Sequence, residues 1–151
     1  MRIYLACTVR GDRTSLEAVR RIHRWLTDHG HEVLTTHLLA EDVEAAEAGN
    51  TDQEIFLRDV AWVESADLVV ADASGSSYGV GFEVGYTLGR APATGQRVCV
   101  LYRADRYDAI SRLVTGLVNE HGSVHAYSSL GDIDRILQTC VGRAGSSLSG
   151  E

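Results

Sequence analysis

The sequence contains no lysine, and all fourteen basic residues are arginines. This absence excludes a P-loop lysine, a Schiff-base lysine and a lysine general base. Acidic residues number 21, so the formal net charge is −7. A chain of this charge is not expected to bind nucleic acid through its phosphates, and we expect a small-molecule ligand.

Cysteines and long apolar runs are also scarce. Cys7, Cys99 and Cys140 are odd in number and far apart, which suggests neither a disulfide framework nor a zinc knuckle. We interpret them as buried, reduced thiols.

The histidines show no metal-ligand spacing, and no Gly-x-Ser-x-Gly elbow supports a hydrolase triad. Because no segment is long enough for a signal peptide or a membrane span, we expect a cytoplasmic protein without a membrane partner.

Strand-like segments alternate with helix-like segments over residues 1–143. Predicted strands lie at 2–7, 31–37, 67–72, 97–102 and 123–127, and predicted helices at 12–29, from the Thr51–Glu54 capping box onward, 80–90, 108–117 and 132–141. This alternation predicts one Rossmann-like (flavodoxin-like) α/β domain, with an open parallel sheet of about five strands and helices on both faces. Residues 40–49 are predicted as a mobile flap, with a short surface helix as the alternative. Residues 144–151 are predicted as a disordered tail.

Ligands of such folds bind at the carboxyl ends of the strands, here the loops at residues 8–11, 36–49 and 73–79. The glycine-rich turn of the third loop would let backbone N–H groups approach a phosphate at a helix N-terminus. Backbone geometry alone explains such a turn equally well. Gly81, Gly85 and Gly89 form a bare stripe on the following helix, which predicts close packing against the sheet or another helix.

Two carboxylates are candidates for chemistry. Glu83 lies in the first turns of the helix after the glycine-rich turn. A negative charge there interacts favourably with the helix dipole, which by itself would explain the residue. Asp59 is flanked by Ile55 and Trp62 on a partly apolar helix face, so it is either a protonated acid or the partner of an arginine such as Arg10. One protonated and one ionised carboxylate suit cleavage of a glycosidic bond.

Two further polar residues have open interpretations. His37, at the end of the second predicted strand, either contacts a ligand or is a structural group. Ser111 precedes a helix-like stretch and, within one subunit, is a surface serine.

Four ordered segments together resemble one family. Residues 3–11, 34–37, 59–62 with 66–71, and 77–85 are similar to the 2′-deoxynucleoside 5′-monophosphate N-glycosidases of the nucleoside 2-deoxyribosyltransferase superfamily. These are related to the cytidylate N-hydrolases of nucleoside-antibiotic pathways. The resemblance implies hydrolysis of the N-glycosidic bond of a nucleoside 5′-monophosphate, releasing the free base and a (deoxy)ribose 5-phosphate. It implies no metal and no organic cofactor.

The resemblance also implies a role for each matching position. Glu83 corresponds to the catalytic glutamate at the anomeric carbon, Asp59 to the acid/base carboxylate, and Tyr4 to a tyrosine that orients the glutamate near C2′. His37 corresponds to a histidine near the base. The positions around the substrate and its 5′-phosphate are Thr8, Val9, Arg10, Gly11, Ser77 and Gly79, with Ser111 donated by the neighbouring subunit of a homodimer.

The sequence departs from the family pattern in two places. Cys7 and Thr8 replace the common Gly and Ser, which makes the floor of the phosphate loop bulkier. The resemblance is weakest over residues 38–50, so the preferred base is not predicted, whereas the hydroxyl of Tyr4 favours deoxyribose. The alternatives are a deoxyribosyltransferase, which shares Glu83 but has little need of a phosphate pocket, and a non-catalytic nucleotide sensor, which would have lost one carboxylate.

Overall fold

The structure is a computed structural model that describes residues 1–40 and 42–146, with side chains described as far as residue 142. Its strands are β1 (Arg2–Ala6), β2 (Glu32–Val33), β3 (Leu68–Asp72), β4 (Arg97–Arg103) and β5 (Gly122–Tyr127). Its helices are α1 (Leu16–Asp28), α2 (Val43–Glu47), α3 (Asp52–Ser65), α4 (Tyr78–Thr94), α5 (Arg112–Thr115) and α6 (Leu130–Ser146). Two 3-10 turns span Thr36–Leu39 and Ala104–Ala109.

All the strand pairs are parallel, and the sheet order is β2-β1-β3-β4-β5. The predicted single-domain α/β fold is therefore confirmed. Chain connections leave in opposite directions from the neighbouring strands β1 and β3, so the topological switch point lies at their carboxyl ends. Within the described residues, no helix is both long and apolar enough to cross a membrane.

Alternating side chains of the strands form two hydrophobic cores. Ile3, Leu5 and Val70 face a core completed by α1 and α6. Tyr4 and Val69 point to the opposite face, where helices α3 and α4 complete the second core. Every residue of β3 is buried, as expected for a central strand covered on both faces.

Several helix ends follow the predicted signals. Helix α1 ends at its cap His29, and Gly30 follows with a φ of 77°. Thr51 and Glu54 form the predicted capping box of α3, in which each side chain accepts a backbone N–H of the other residue.

The second predicted strand is shorter than expected, and the segment predicted as a flap contains the alternative, a short helix. Strand β2 has only two residues, because the Thr35 hydroxyl bonds both backbone groups of Leu5 and the chain then turns. His37 consequently lies in a 3-10 turn. The expected flap contains the short helix α2, whose N-cap Asp42 accepts the backbone N–H of Ala45 and whose Val43 is buried.

Three further boundaries differ from the predictions. Helix α4 continues through Pro92 to Thr94, because a proline in the last turn removes a single helical hydrogen bond. The helix predicted at 108–117 is part of a 3-10 turn followed by the four-residue α5. Residues 144–146 of the expected tail continue α6, and residues 147–151 lie outside the described residues.

The glycine stripe of α4 does not pack against the sheet. A Cβ atom added at Gly81, Gly85 or Gly89 would meet no described atom within 4 Å. The stripe therefore faces outward, and it leaves a flat strip of exposed helix backbone.

Candidate active site

A cavity of about 630 Å³ opens near the carboxyl ends of β1 and β3. Eight of the candidate residues line it: Tyr4, Val9, Arg10, His37, Asp59, Ser77, Gly79 and Glu83. Thr8, Gly11 and Ser111 are not part of its wall. The structure thus brings both carboxylates and the tyrosine to one cavity.

Tyr4 and Glu83 form the centre of this cavity. The Tyr4 hydroxyl donates a hydrogen bond of 2.5 Å to Glu83 Oε1. Burial raises the pKa of Glu83 to about 7; the negative charge of Asp59 adds to this, and the Tyr4 hydrogen bond opposes it. Burial also raises the pKa of Tyr4, as does the neighbouring Glu83, so the tyrosine remains a proton donor.

Asp59 is paired with an arginine, the second of the two alternatives left open by its position. The partner is its neighbour Arg58, whose Nη2 lies 2.8 Å from Asp59 Oδ1, rather than Arg10. Arg58 Nη1 is also 2.9 Å from Glu47 Oε1, and its guanidinium carbon lies 4.7 Å from the ring centroid of Trp62. The arginine is therefore fixed on three sides, and it fixes the Asp59 carboxylate in turn.

His37 joins the same ionic cluster from the 3-10 turn. Its Nε2 lies 3.1 Å from Glu47 Oε1 and 3.4 Å from Arg58 Nη2. Burial lowers the pKa of His37, and the positive charge of Arg58 lowers it further. Burial alone would raise the pKa of Glu47, but hydrogen bonds from Asn50 and Arg58 hold it below its usual value. His37 is thus a neutral imidazole at physiological pH, beside an ionised Glu47.

The other end of the cavity has groups suited to an anion. Ser77 caps α4 without a hydrogen bond from its side chain to the described helix backbone, and Ser77 and Gly79 line the wall. The start of this 17-residue helix therefore lies at the cavity wall without a side-chain cap, and a helix N-terminus favours negative charge. Arg10 lies at the rim and is 82% exposed, with its Nε 2.6 Å from Glu44 Oε1 of α2.

Thr8 and Gly11 flank the wall residues Val9 and Arg10; Thr8 is buried and Gly11 is exposed. The Thr8 hydroxyl is buried and has no hydrogen-bond partner among the described residues. It packs so tightly under the glycine-rich turn that a Cβ on Gly75 would lie 2.1 Å from Thr8 Oγ1. Gly11 has a φ of 113°, which only glycine adopts readily.

A smaller depression of about 210 Å³ reaches the same centre from the side, between α3 and α4. Asp59, Gly79 and Glu83 line both spaces. The depression opens beside Phe56 and Phe82, which are about half exposed. Ser111, the N-cap of α5, is exposed and accepts the backbone N–H of Leu113.

Residues 3–134 match the sequence model of the nucleoside 2-deoxyribosyltransferase family. The chain belongs to this family. A relative from Thermofilum pendens, named as a 2′-deoxynucleoside 5′-phosphate N-hydrolase, is 38% identical over 91% of each chain. The mouse 5-hydroxymethyl-dUMP N-hydrolase is 36% identical over 76% of this chain and 64% of its own.

Solved structures share this fold. The Clostridium botulinum CMP N-glycosidase BcmB superposes with a TM-score of 0.65 over 92% of this chain and 98% of that chain, at 18% identity. A conserved protein from Enterococcus faecalis gives a TM-score of 0.60 at 23% identity. These two likenesses show the fold.

Three residues that shape this family member's site were missed from the sequence. Arg58 and Glu47 hold Asp59 and His37 in place. The feature of the sequence that could have indicated this cluster is that Arg58 directly precedes the predicted acid Asp59. Asp72, at the end of β3, is fully buried and accepts hydrogen bonds from Ser15, Ser74 and Tyr127, so it anchors the turn that leads into α4. Its signal was an acidic residue that ends an otherwise apolar strand.

Proposed function

We propose that this member of the nucleoside 2-deoxyribosyltransferase family hydrolyses the N-glycosidic bond of nucleoside 5′-monophosphates. The products are a free nucleobase and a (deoxy)ribose 5-phosphate. The observation that carries this proposal is the Tyr4–Glu83 pair, joined at 2.5 Å inside a cavity that also contains Asp59 and the N-terminus of α4. The names of the relatives from Thermofilum pendens and mouse support the same reaction class.

Glu83 acts at the anomeric carbon. As the C1′–N bond breaks, its electron pair leaves with the base and positive charge develops on the sugar. The ionised carboxylate of Glu83 stabilises or captures that charge, and water then adds at C1′ to release the sugar phosphate. The Tyr4 hydroxyl occupies Glu83 Oε1, so it orients the other carboxylate oxygen toward the sugar.

Asp59 moves protons in this scheme. Asp59 lines the same cavity as Glu83, and its contact with Arg58 fixes the carboxylate there. Asp59 accepts the proton of the attacking water and passes it to the base anion, which leaves as the neutral nucleobase, while Arg58 keeps the carboxylate in place. His37, held by Glu47, contacts the base end of the substrate.

The 5′-phosphate binds at the other end of the cavity. Ser77 and the N–H groups near Gly79 receive it at the start of α4, together with Val9 of the cavity wall and the adjoining residues Thr8 and Gly11. Arg10 exchanges its exposed partner Glu44 for the phosphate, an exchange with a small cost because exposed ion pairs contribute only about 0.2–1 kcal/mol. Phosphate binding fixes the sugar against Glu83 and so contributes to the rate.

The active unit in this proposal is a homodimer in which Ser111 of one chain completes the phosphate site of the other. Three features of the described surface support it. The glycine stripe faces outward, Phe56 and Phe82 are exposed beside it, and the side depression leads from these rings to Asp59 and Glu83. A nucleotide substrate and three free cysteines suit the cytoplasm, and we propose that the enzyme works there.

The test is base release from deoxynucleoside monophosphates, nucleoside monophosphates and unphosphorylated nucleosides, followed by liquid chromatography. We expect release from monophosphates alone, and a loss in kcat of about 10³-fold, or about 4 kcal/mol, in Glu83→Gln. Glu17→Gln, the same change at an exposed position of α1, is the matched control and retains wild-type rates.

Two outcomes contradict the proposal. Release from unphosphorylated nucleosides with transfer of the sugar to an added base makes the protein a transferase. Wild-type rates in Glu83→Gln, or no release from any substrate, remove the catalytic role of this site and favour a nucleotide sensor.

A further inference from the structure

Two cysteines and a histidine meet on the side of the sheet opposite Tyr4. Cys99 lies on β4, His125 on β5 and Cys140 on α6, and their ligand atoms all lie within 4.8 Å of one another. Both cysteines belong to the core under α1 and α6, whereas Tyr4 belongs to the core under α3 and α4. The cluster is therefore separate from the candidate active site.

The distances suit a shared metal ion. Cys140 Sγ lies 3.6 Å from His125 Nε2. A tetrahedral zinc ion with usual bond lengths holds a sulfur and a nitrogen ligand about 3.6 Å apart, and two sulfur ligands about 3.8 Å apart. The cluster thus needs little rearrangement to bind zinc.

The two cysteines are buried, whereas His125 can be reached from the surface. Cys99 and Cys140 are 1% and 6% exposed, so water does not compete for their sulfur atoms. His125 is partly exposed and lines a surface depression of about 300 Å³, together with Asp132 and Arg135. An ion can enter by this depression and reach the buried sulfurs past the imidazole.

The donor set identifies the class of ion. Two thiolates and an imidazole prefer zinc and other thiophilic metals, whereas magnesium and calcium prefer oxygen ligands. Three protein ligands leave the fourth coordination position of a tetrahedral ion open. The Ser123 hydroxyl lies 3.6 Å from Cys140 Sγ, close enough to orient this cysteine. Sequence spacing concealed the set, because its members come from three separate elements.

We propose that Cys99, His125 and Cys140 bind one zinc ion that links β4, β5 and α6. Both thiols release their protons when the ion binds. Because the unfolded chain does not hold the three ligands together, the bound ion stabilises the folded protein. This proposal does not depend on the proposed function.

The test is a titration of the reduced, metal-free protein with Zn²⁺ in competition with a chromophoric chelator. We expect one ion per chain, and with Co²⁺ the visible absorption of a tetrahedral site with thiolate ligands. His125→Ala and Cys140→Ser weaken Zn²⁺ binding by more than about tenfold, and Ser123→Ala weakens it by about tenfold. Zn²⁺ also raises the thermal unfolding midpoint of the wild type but not that of Cys140→Ser.

Matched variants separate this site from general effects. His121→Ala removes a histidine just before β5, and Cys7→Ser removes the cysteine outside the cluster, so both retain wild-type zinc affinity. His125 is partly exposed, so its alanine variant is expected to fold even where a buried cysteine variant does not, and circular dichroism checks this. Zinc binding that survives in folded His125→Ala, or wild-type binding no tighter than that of Cys99→Ser/Cys140→Ser, overturns the proposal. A Cys99–Cys140 disulfide that persists under reductant and prevents metal uptake overturns it as well.

Discussion

Glu83 is held between two opposing influences. Burial raises its pKa to about 7, while the Tyr4 hydroxyl favours the ionised carboxylate. A group poised near neutral pH is partly protonated under physiological conditions, so small changes around it alter the fraction that can act. The tyrosine therefore affects both the position and the charge of the glutamate.

This balance predicts the pH profile. Because Glu83 acts when ionised, kcat rises as the pH increases through about 7. Tyr4→Phe removes the hydrogen bond but keeps the burial, so the pKa of Glu83 rises and the acidic limb moves to higher pH. A hydrogen bond to a charged group contributes about 1.5–3 kcal/mol, which corresponds to a displacement of at least about one pH unit.

The measurement is kcat against pH for the wild type, Tyr4→Phe and the control Tyr107→Phe, which changes a half-exposed tyrosine outside the cavity. Ionisation of the substrate phosphate contributes equally to all three profiles and cancels in the comparison. An acidic limb at the same pH in Tyr4→Phe and the wild type would show that Tyr4 does not control the ionisation of Glu83.

The sequence was informative about some of these residues and silent about others. The parallel sheet predicted only that ligand-binding loops follow its strands. That Tyr4, Asp59 and Glu83 share a site was implied by the resemblance to the family, and all three line the same cavity. Arg58 and Glu47 were not expected, because a charged residue on a helix or an acidic segment is usually solvated. Only the ion pair that they form between α2 and α3 gives them a role.

The loop between β3 and α4 connects the site to the core. Gly75 lies so close to the β1 loop that a Cβ would meet Thr8 Oγ1 at 2.1 Å and the Asp12 carbonyl oxygen at 2.4 Å. One of these atoms is backbone and the other is buried, so neither moves easily. The loop after β1 and the loop after β3 can therefore pack this closely only because Gly75 has no side chain.

Gly75→Ala is expected to lower the free energy of unfolding by about 1–3 kcal/mol, the usual cost of overpacking. It also displaces the start of α4 and so raises the KM for a monophosphate. Gly142→Ala is the matched control, since its Cβ meets no described atom within 4 Å and alanine favours the helix by up to about 1 kcal/mol. Urea unfolding measures both; equal stabilities of Gly75→Ala and the wild type would contradict this close packing of the two loops.

The elements themselves were predictable where the pattern is strong. Continuous apolar runs indicated β3 and β4, and the capping box indicated the start of α3. Helix α2 was assigned to a flap because its alanine-rich segment has little periodicity, and its cap at Asp42 is a weaker signal than a capping box. Strand β2 was overextended because side-chain bonds such as those of Thr35 compete with strand pairing without altering the apolar pattern.

The proposed homodimer would use the exposed face between α3 and α4. Ser111 lies outside the cavity of its own chain, and Asp59 and Glu83 line the side depression beside the aromatic residues of α3 and α4. If two chains pack through this face, each cavity contains residues from both. Such shared sites allow two inactive variants to restore each other when mixed.

The pair Glu83→Gln and Ser111→Asp tests this arrangement. Aspartate is a good N-cap, so Ser111→Asp preserves the start of α5 while placing a negative charge beside the partner's phosphate. Each variant alone is expected to be nearly inactive. After equal mixing and exchange of subunits, half of the dimers are mixed and each contains one intact site, so about a quarter of the wild-type activity returns.

Light scattering after size-exclusion chromatography establishes the dimer, and assays before and after mixing measure the recovery. A monomeric wild type, or a mixture no more active than its two components, would mean that each chain builds its site alone, and the exposed face between α3 and α4 would then need another explanation.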